Sequence, residues 1–385
     1  MSIASEIILH EKRKVFKIKL IEQHIIQEAM YEEGISICKD HGFRFKTLYN
    51  RAIKSLEEKE EVLKLLNYYS SVKGLNALIE NKYISKVISA EYACERKILT
   101  EYSEIVIGCT NTNQISPVFS YGITDRELTV NEMAIHMDSF TKFIQEKKIY
   151  KVMDSGKYNV LMFPEVMSVL VHEIIGHLCE ADNHINNQLS KYQVGYDFGV
   201  PITVYDDPQI PNSWGGIPFD DEGNESKKVV LVDRGKISDF MTSNGSSEIL
   251  GLEKNGHARC IKYNKKPIDR MTNTIMQSGE ECFESMIQEF GNGIIAKMTT
   301  GGFMYKDFYG ITIVDGLYIK NGHMSRITNC LIRGRIGDVI NHITRISSKT
   351  EVMSGRGCVK RGQGILPVSV EAPYVLFESL FVEQK

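Results

Sequence analysis

Apolar residues recur at helical spacing in five stretches of the chain. Residues 164 to about 182 open with Pro164, which suits the first turn of a helix, and carry a broad apolar stripe that predicts a largely buried helix. The stripe consists of Val166, Met167, Val169, Leu170, Ile174 and Ile175. The other predicted helices cover Glu58–Tyr69, Thr129–Lys148, Glu280–Phe290 and Arg335–Ile346. For the second of these, Thr129 is the predicted N-cap, with Glu132 three residues later.

Short apolar runs between turn residues predict strands. The predicted strands are a weakly alternating Gly34–Cys38, a buried Ser103–Cys109, a strand–turn–strand unit over Lys227–Met241, and a meander over Tyr309–Val314, Leu317–Lys320 and the residues from His323 on. The meander turns are predicted at Asp315-Gly316 and Asn321-Gly322. Helices and strands in this arrangement predict an α+β fold.

The chain length suggests two or three domains, and the sequence divides most simply into two. We expect an N-terminal mixed α/β domain over residues 1–152 and a β-rich domain, which includes the helix that begins at Pro164, over 153–385, with a boundary near 150–156. No internal repeat and no low-complexity tract interrupts either part.

Composition narrows the function classes. The 385 residues are 42% hydrophobic and 25% charged, as in an ordinary globular protein, and 46 basic against 49 acidic residues give a net charge of −3. This balance argues against nucleic-acid binding. No 18-residue apolar span and no export signal are visible, so we expect a cytoplasmic protein without a membrane segment. The eight cysteines form no C-x-x-C pair and are expected to be mostly buried free thiols.

The candidate chemistry lies in the pattern H-E-x-x-x-H formed by His172, Glu173 and His177. Two imidazoles beside a carboxylate are typical of hydrolytic zinc sites. Histidines five residues apart lie ~140° apart on an ideal helix, too far to bind one ion. A single π-type turn, or an end of the regular helix near Gly176, would bring them together. We therefore predict a local irregularity over residues 173–177.

A second segment, residues 354–373, reads SGRGCVKRGQGILPVSVEAP. Together with the H-E-x-x-x-H helix it resembles the TldD/PmbA family of zinc metallopeptidases, specifically the TldD-type catalytic subunit. The positions in register with the family's C-terminal motif are Cys358, Lys360, Gly362, Gln363, Pro367 and Val368, whereas Val359 replaces a glycine. The likeness covers residues from about 155 to 380 and includes Glu180, Asp182, Asp220–Gly223 and Arg270–Thr274.

The resemblance implies a set of roles. His172, His177 and Cys358 would bind Zn²⁺, and Glu173 would be the catalytic carboxylate. The family cleaves unfolded or extended peptides and takes part in the maturation or degradation of small peptides, some of them modified. Its catalytic subunit works with a related TldE/PmbA-like non-catalytic subunit, so a heterodimer is expected, with a homodimer as the alternative.

The sequence leaves the roles of several residues near the motif open. Three protein ligands would leave a fourth position for water, whereas a closed structural site would need one of His184, His257, Asp182 or Glu180, and Cys179 is a rival thiolate. Glu180 and Asp182 are either acceptors for imidazole N–H groups or exposed helix-end acids. Arg270, Thr272 and Asn273 either line the substrate channel or stabilise turns.

Two function classes therefore compete. In the first, the protein is a zinc metallopeptidase that uses Glu173 to move protons during peptide hydrolysis. In the second, it is a non-catalytic partner or modulator subunit that retains a structural metal site.

Overall fold

The computed structural model describes residues 7–21, 23–39, 42–52, 60–73, 75–90, 93–109, 118–145, 150–185, 189, 191–355 and 357–385. Two large sheets dominate this part of the chain, and most of their strand pairs are antiparallel. The predicted α+β class is confirmed. None of the described helices is both long and apolar enough to cross a membrane.

The first sheet has six antiparallel strands in the order β3-β2-β1-β4-β5-β6. These strands are β1 (Ile7–Ile21), β2 (His24–Lys39), β3 (Gly42–Ala52), β4 (Leu75–Ala90), β5 (Ala93–Cys109) and β6 (Val118–Thr124). The predicted strands Gly34–Cys38 and Ser103–Cys109 are therefore parts of much longer strands. Cross-strand pairs of lysine and glutamate, such as Lys17 with Glu80, place charges on the sheet and weaken the alternation that marks a strand in the sequence.

Two helices, α1 (Glu60–Tyr69) and α2 (Val130–Gln145), cover one face of this sheet. Leu66 of α1 and Met137 of α2 are fully buried in the resulting core together with Ile105 and Ile107 of β5. The predicted cap of α2 is confirmed, because the Thr129 hydroxyl accepts the Glu132 N–H while the Glu132 carboxylate accepts the Thr129 N–H. Residues 58, 59 and 146–148 of the predicted helices lie outside the described residues.

The second sheet has eleven strands, with the central path β10-β9-β8-β13-β21-β17-β15-β14-β7. They are β7 (Gly156–Met162), β8 (Val204–Asp206), β9 (Val229–Asp233), β10 (Lys236–Ile237), β13 (Asn273–Met276), β14 (Gly293–Tyr305), β15 (Phe308–Lys320), β16 (His323–Ile327), β17 (Cys330–Arg335), β18 (Ile343–Met353) and β21 (Ser369–Gln384). The carboxyl-terminal strand β21 lies at its centre and pairs in parallel with β13.

Smaller elements complete this half of the molecule. Two ladders form from β11 (Ala258–Arg259) with β12 (Ile268–Asp269) and from β19 (Gly357–Lys360) with β20 (Gln363–Pro367). The helices are α3 (Pro164–Val171), α4 (Asn244–Leu250), α5 (Phe283–Gln288) and α6 (Ile336–Val339), with single turns at His172–Gly176, Ala181–Asn183 and Ile340–His342. The division of the chain at residue 152 stays a proposal; strands up to Thr124 build one sheet and strands from Gly156 on build the other.

Some local predictions need correction. The turn at Asn321-Gly322 and the Lys227–Met241 hairpin are confirmed, but Asp315-Gly316 lies inside the continuous strand β15. The irregularity sits instead on the facing strand, where the register of β14 shifts between Ala296 and Gly301. The helix predicted over Arg335–Ile346 ends early, and residues from Ile343 on form a strand on β21.

The two sheets meet through aromatic side chains and a buried ion cluster. Trp214 stacks edge-on against Tyr102 of β5, and a Cβ at Gly122 of β6 would overlap its ring, so the close approach requires glycine. Lys86 of β4 forms an ion pair with the buried Asp221 of the second half. These contacts set strands β5 and β6 against the region that holds the H-E-x-x-x-H residues.

Candidate metal centre

The helix that begins at Pro164 changes from α to π geometry where the first histidine occurs. The His177 N–H donates to the His172 carbonyl at 3.0 Å, an i to i+5 bond, and residues His172–Gly176 form one π turn. This extra residue per turn sets the two imidazoles with ring centroids 4.8 Å apart. The irregularity predicted over residues 173–177 is confirmed, and it follows from the five-residue spacing.

Burial fixes this segment in place. Val166, Leu170 and Ile174 are fully buried in the largest core cluster, as the apolar stripe predicts. Gly176 packs against the sulfur of Met271, and a Cβ at this position would overlap it. The helix is shorter than predicted, because the chain leaves helical geometry after Gly176 rather than at residue 182.

Cys358 reaches the two histidines from the far end of the chain. Its Sγ lies 3.3 Å from Nε2 of His177, and one ligand atom from each of His172, His177 and Cys358 lies within 4.8 Å of the other two. The Cys358 side chain is 1% exposed, and its strand β19 is held because Arg270 donates to the Cys358 carbonyl. The structure thus brings together the three residues that the sequence resemblance implies as ligands.

The electrostatics of the cluster favour a thiolate. Burial opposes ionisation of Cys358, but His177 and His172 lower the pKa of its thiol well below the ordinary value. Burial likewise opposes protonation of His177, yet Glu180 and the thiolate raise the pKa of this imidazole well above the ordinary value. A bound cation would take over the charge balance that a proton on His177 supplies, and metal affinity would depend on pH for this reason.

The donor set fits zinc. Zinc accepts imidazole nitrogen and thiolate sulfur in a tetrahedron, with ligand atoms roughly 3.3–3.7 Å apart. Among the described residues, these three form the one group of histidine, cysteine and acidic side chains whose ligand atoms lie within 4.8 Å of one another. None of the rival ligands Cys179, His184 or His257 belongs to it; Cys179 is buried in the core, where burial raises the pKa of its thiol, and the two histidines bond elsewhere. Three protein ligands leave a fourth position for water or substrate.

Glu180 orients one of the imidazoles. Nδ1 of His177 lies 2.6 Å from Oε2 of Glu180, so Nε2 is the ring nitrogen that faces the thiolate. Burial opposes ionisation of Glu180, but Lys360 and His177 hold the pKa of this carboxyl far below its usual range. The Lys360 ammonium lies 3.0 Å from the same oxygen and also donates to the Asp269 carbonyl at 2.9 Å. The alternative of exposed helix-end acids is wrong for Glu180, which is 0% exposed.

Asp182 has a different role from the predicted one. In the described part of the chain, its carboxylate bonds to no imidazole and instead forms ion pairs with Lys360 and with Arg361, the latter at 3.0 Å. It therefore joins the segment after the π turn to the loop after Cys358. Lys360 is in register with the family motif, but the sequence did not indicate its role. It lies two residues after Cys358 on a strand, which puts both side chains on one face.

Arg270, Thr272 and Asn273 are buried and bond to neighbouring segments of the chain. Arg270 bonds to the backbone of Cys358, and Thr272 bonds to the Asp206 carboxylate. The Asn273 side chain donates to the Asp207 carbonyl at 2.8 Å and accepts the Gly215 N–H at 3.0 Å. Neither side chain is among those that line the cavity beside the metal centre, and these contacts favour the alternative in which the residues stabilise turns.

That cavity has a volume of about 670 Å³ and contains Glu173. The Glu173 side chain is 9% exposed and shares the cavity wall with His172 and His177. The loop around Cys358 and the end of β14 form further walls, and the first sheet contributes Glu104, Val106, Val118 and Ser120. Sequence reasoning missed this contribution, because it depends on how two separately folded sheets meet.

The sequence of this chain is similar to a known family and to several known proteins. Residues 155–384 match the family described as the PmbA/TldA metallopeptidase C-terminal domain. A metalloprotease of Methanocaldococcus jannaschii is 31% identical over 215 residues, which are 54% of this chain and 47% of that protein. The chain thus spans about half the length of this relative. A zinc metalloprotease TldD homolog of Saccharolobus solfataricus is 27% identical over 348 residues, covering 84% of this chain and 76% of that protein.

Solved structures show the same fold. TldE from Thermococcus kodakarensis superposes with a TM-score of 0.73 over 98% of this chain and 96% of its own, at 12% identity. A candidate modulator of a DNA gyrase from Thermotoga maritima gives a TM-score of 0.71 over 99% and 96% at 16% identity. Identities this low show a shared fold alone, which confirms the TldD/PmbA-like architecture implied by the sequence.

Proposed function

Since this chain belongs to the PmbA/TldD family of metallopeptidases, we propose that it is a zinc-dependent peptidase that hydrolyses unfolded or extended peptides. The observation that carries the proposal is the meeting of His172, His177 and Cys358 within 4.8 Å in a cavity that also contains Glu173. The names of its metalloprotease relatives agree with this activity.

Each side chain has a definable part in hydrolysis. His172, His177 and Cys358 would hold the ion, and Glu180 would keep the His177 ring in its binding orientation. When bound, zinc acts as a Lewis acid that polarises the scissile carbonyl and lowers the pKa of water at the site. The Glu173 carboxylate accepts a proton from the attacking water and passes it to the nitrogen of the leaving amine.

The shape of the cavity supports an extended substrate. Strand β14 pairs with β7 only over Ile294–Ala296, and no other described strand pairs with that edge further along. Gly302, Phe303 and Met304 of β14 line the cavity beyond this point. A peptide added there as a further strand would be held by backbone hydrogen bonds and would tolerate many sequences. This tolerance suits the maturation or degradation of small peptides.

We also propose that the chain works in the cytoplasm as a dimer with a related, non-catalytic subunit of the TldE/PmbA type. The fold shared with TldE supports a common ancestry of two such subunits. A homodimer is the alternative, and the mass of the native complex purified from its source separates the two.

The substitution Glu173→Gln tests the peptidase. We expect the variant to bind one zinc per chain and to lose peptide hydrolysis by about 10²-fold or more, because the amide cannot accept the proton. Glu61→Gln, on the exposed surface of α1, serves as the control with full activity. Full hydrolysis by Glu173→Gln would contradict the assigned role and favour a modulator that keeps the metal for structure.

A further inference from the structure

The cavity beside the metal centre is closed on one side by the first sheet. Glu104 and Val106 of β5 and Val118 and Ser120 of β6 line it together with His172. On β5, Ser103, Ile105 and Ile107 turn to the opposite face and are buried under the helices, so the strand alternation directs Glu104 towards the cavity. Glu104 is the carboxylate that the first sheet contributes to this wall in the described part of the chain.

The carboxylate of Glu104 lacks a counter-ion. Its cross-strand neighbour is Glu80, and the two nearby lysines, Lys17 and Lys82, both form ion pairs with Glu80. Within the described residues, the Glu104 carboxylate forms no hydrogen bond and no ion pair. Burial raises the pKa of Glu104 to about 7; the nearby Lys82 and Lys17 oppose this shift, and the repulsion from Glu80 adds to it. A cation next to this carboxylate would offset its desolvation.

The rest of the wall suits a basic side chain. Val106 follows Glu104 on the same face of β5, and Val118 lies further along that face on β6. Val359 and Ile365 present exposed apolar surface from the Cys358 ladder. Apolar walls that end at a carboxylate fit an aliphatic stem that carries a charged head. The basic residues of the cavity do not compete, because Lys360 is paired with Glu180 and Asp182, and Arg361 is paired with Asp182.

We propose that Glu104 is a specificity-determining residue that pairs with a cationic group of the peptide, either its α-amino group or a lysine or arginine side chain. The inference rests on the proposed peptidase function and adds a substrate class to it. The first sheet then selects the substrate, while the second sheet holds the groups that act on the scissile bond.

Binding and turnover together test this pairing. Four hexapeptides of alanine and tyrosine would be compared: one with a central lysine and one with norleucine, each with a free and an acetylated amino terminus. Calorimetry in a Glu173→Gln background reads affinity without turnover, and kcat/KM is measured in chains that retain Glu173. The variants are Glu104→Gln, Glu104→Lys and the control Glu101→Gln, which changes a glutamate on the opposite face of the same strand.

We expect the cationic peptide to bind about tenfold more tightly than its neutral counterpart. Comparing the free with the acetylated amino terminus, and lysine with norleucine, shows which cation pairs with Glu104. Glu104→Gln should abolish this preference and leave neutral peptides within twofold, Glu104→Lys should disfavour cationic peptides, and Glu101→Gln should keep the preference. Equal binding of all four peptides, or a preference that survives Glu104→Gln, would overturn the inference. Charge-dependent binding without any hydrolysis by the Glu173 chain would refute the peptidase and retain the Glu104 contact.

Discussion

The buried carboxylate of Glu180 connects His177 of the metal centre to the ammonium group of Lys360. Its Oε2 lies 2.6 Å from Nδ1 of His177 and 3.0 Å from Nζ of Lys360, and the side chain is 0% exposed. The substitution Glu180→Gln keeps the size and removes the charge. We expect weaker zinc binding, because a neutral amide is a poorer acceptor for the imidazole N–H and no longer increases the basicity of the ring.

The size of this effect follows from the geometry. The Glu180–Lys360 attraction at 3.0 Å is about 5–6 kcal/mol at an effective dielectric constant of about 20, before desolvation offsets part of it. Lys360 keeps Asp182 as a second partner, so we expect a stability loss of roughly 2–3 kcal/mol rather than the full cost of an unpaired buried charge. Zinc affinity should fall about 10- to 100-fold, as for other residues that orient a metal-binding histidine.

Competition with a chromophoric chelator at neutral pH measures the affinity, and denaturant unfolding of the metal-free chains measures stability separately. The matched control is Glu222→Gln, a carboxylate that accepts the Asn244 N–H at 2.7 Å and lies outside the metal cluster. It should leave the zinc affinity unchanged. A Glu180→Gln chain that binds zinc as tightly as the wild type would refute the orienting role of Glu180.

Three further predictions concern stability. Gly176→Ala should lower the free energy of unfolding by about 1–3 kcal/mol, because its Cβ would overlap the buried Met271 sulfur. The control Gly245→Ala, in the open first turn of α4, should be neutral or stabilising. Urea unfolding measures both. Removing zinc with a chelator should lower the thermal midpoint, since zinc at 100 times its Kd stabilises by about 2.7 kcal/mol, and an unchanged midpoint would contradict binding to the folded state. Thr129→Ala should cost about 1 kcal/mol by removing the cap that pairs with Glu132, with loss of α2 helicity measured by circular dichroism.

The local geometry of the metal helix could be predicted from the sequence, because a five-residue spacing is incompatible with one face of a regular helix. That argument involves only residues 172 to 177, whose relative positions depend on backbone dihedral angles. The same is true of the cap at Thr129 and of the turn at Asn321-Gly322, where neighbouring residues decide the outcome.

Assignments that depend on distant partners were less accurate. Asp182 and Glu180 look alike in the sequence, but in the folded chain Glu180 bonds to His177, whereas Asp182 pairs with Lys360 and Arg361, nearly 180 residues away. Arg270 has the chemistry of a substrate-binding residue, and its burial against the Cys358 backbone appears only in the folded chain. Glu104 was missed for the same reason, since its cavity forms where two sheets meet.

The central claim is that His172, His177 and Cys358 bind one zinc ion with a fourth position left open. X-ray absorption at the zinc edge of the loaded protein tests it directly, combined with metal analysis of Cys358→Ala and of Cys179→Ala as the matched control. We predict one zinc per wild-type chain, with one sulfur at about 2.3 Å, two imidazole nitrogens at about 2.0–2.1 Å and one further light atom from solvent. Zinc should be lost from Cys358→Ala and retained by Cys179→Ala. A shell without sulfur, or zinc retained in full by Cys358→Ala, would contradict the account.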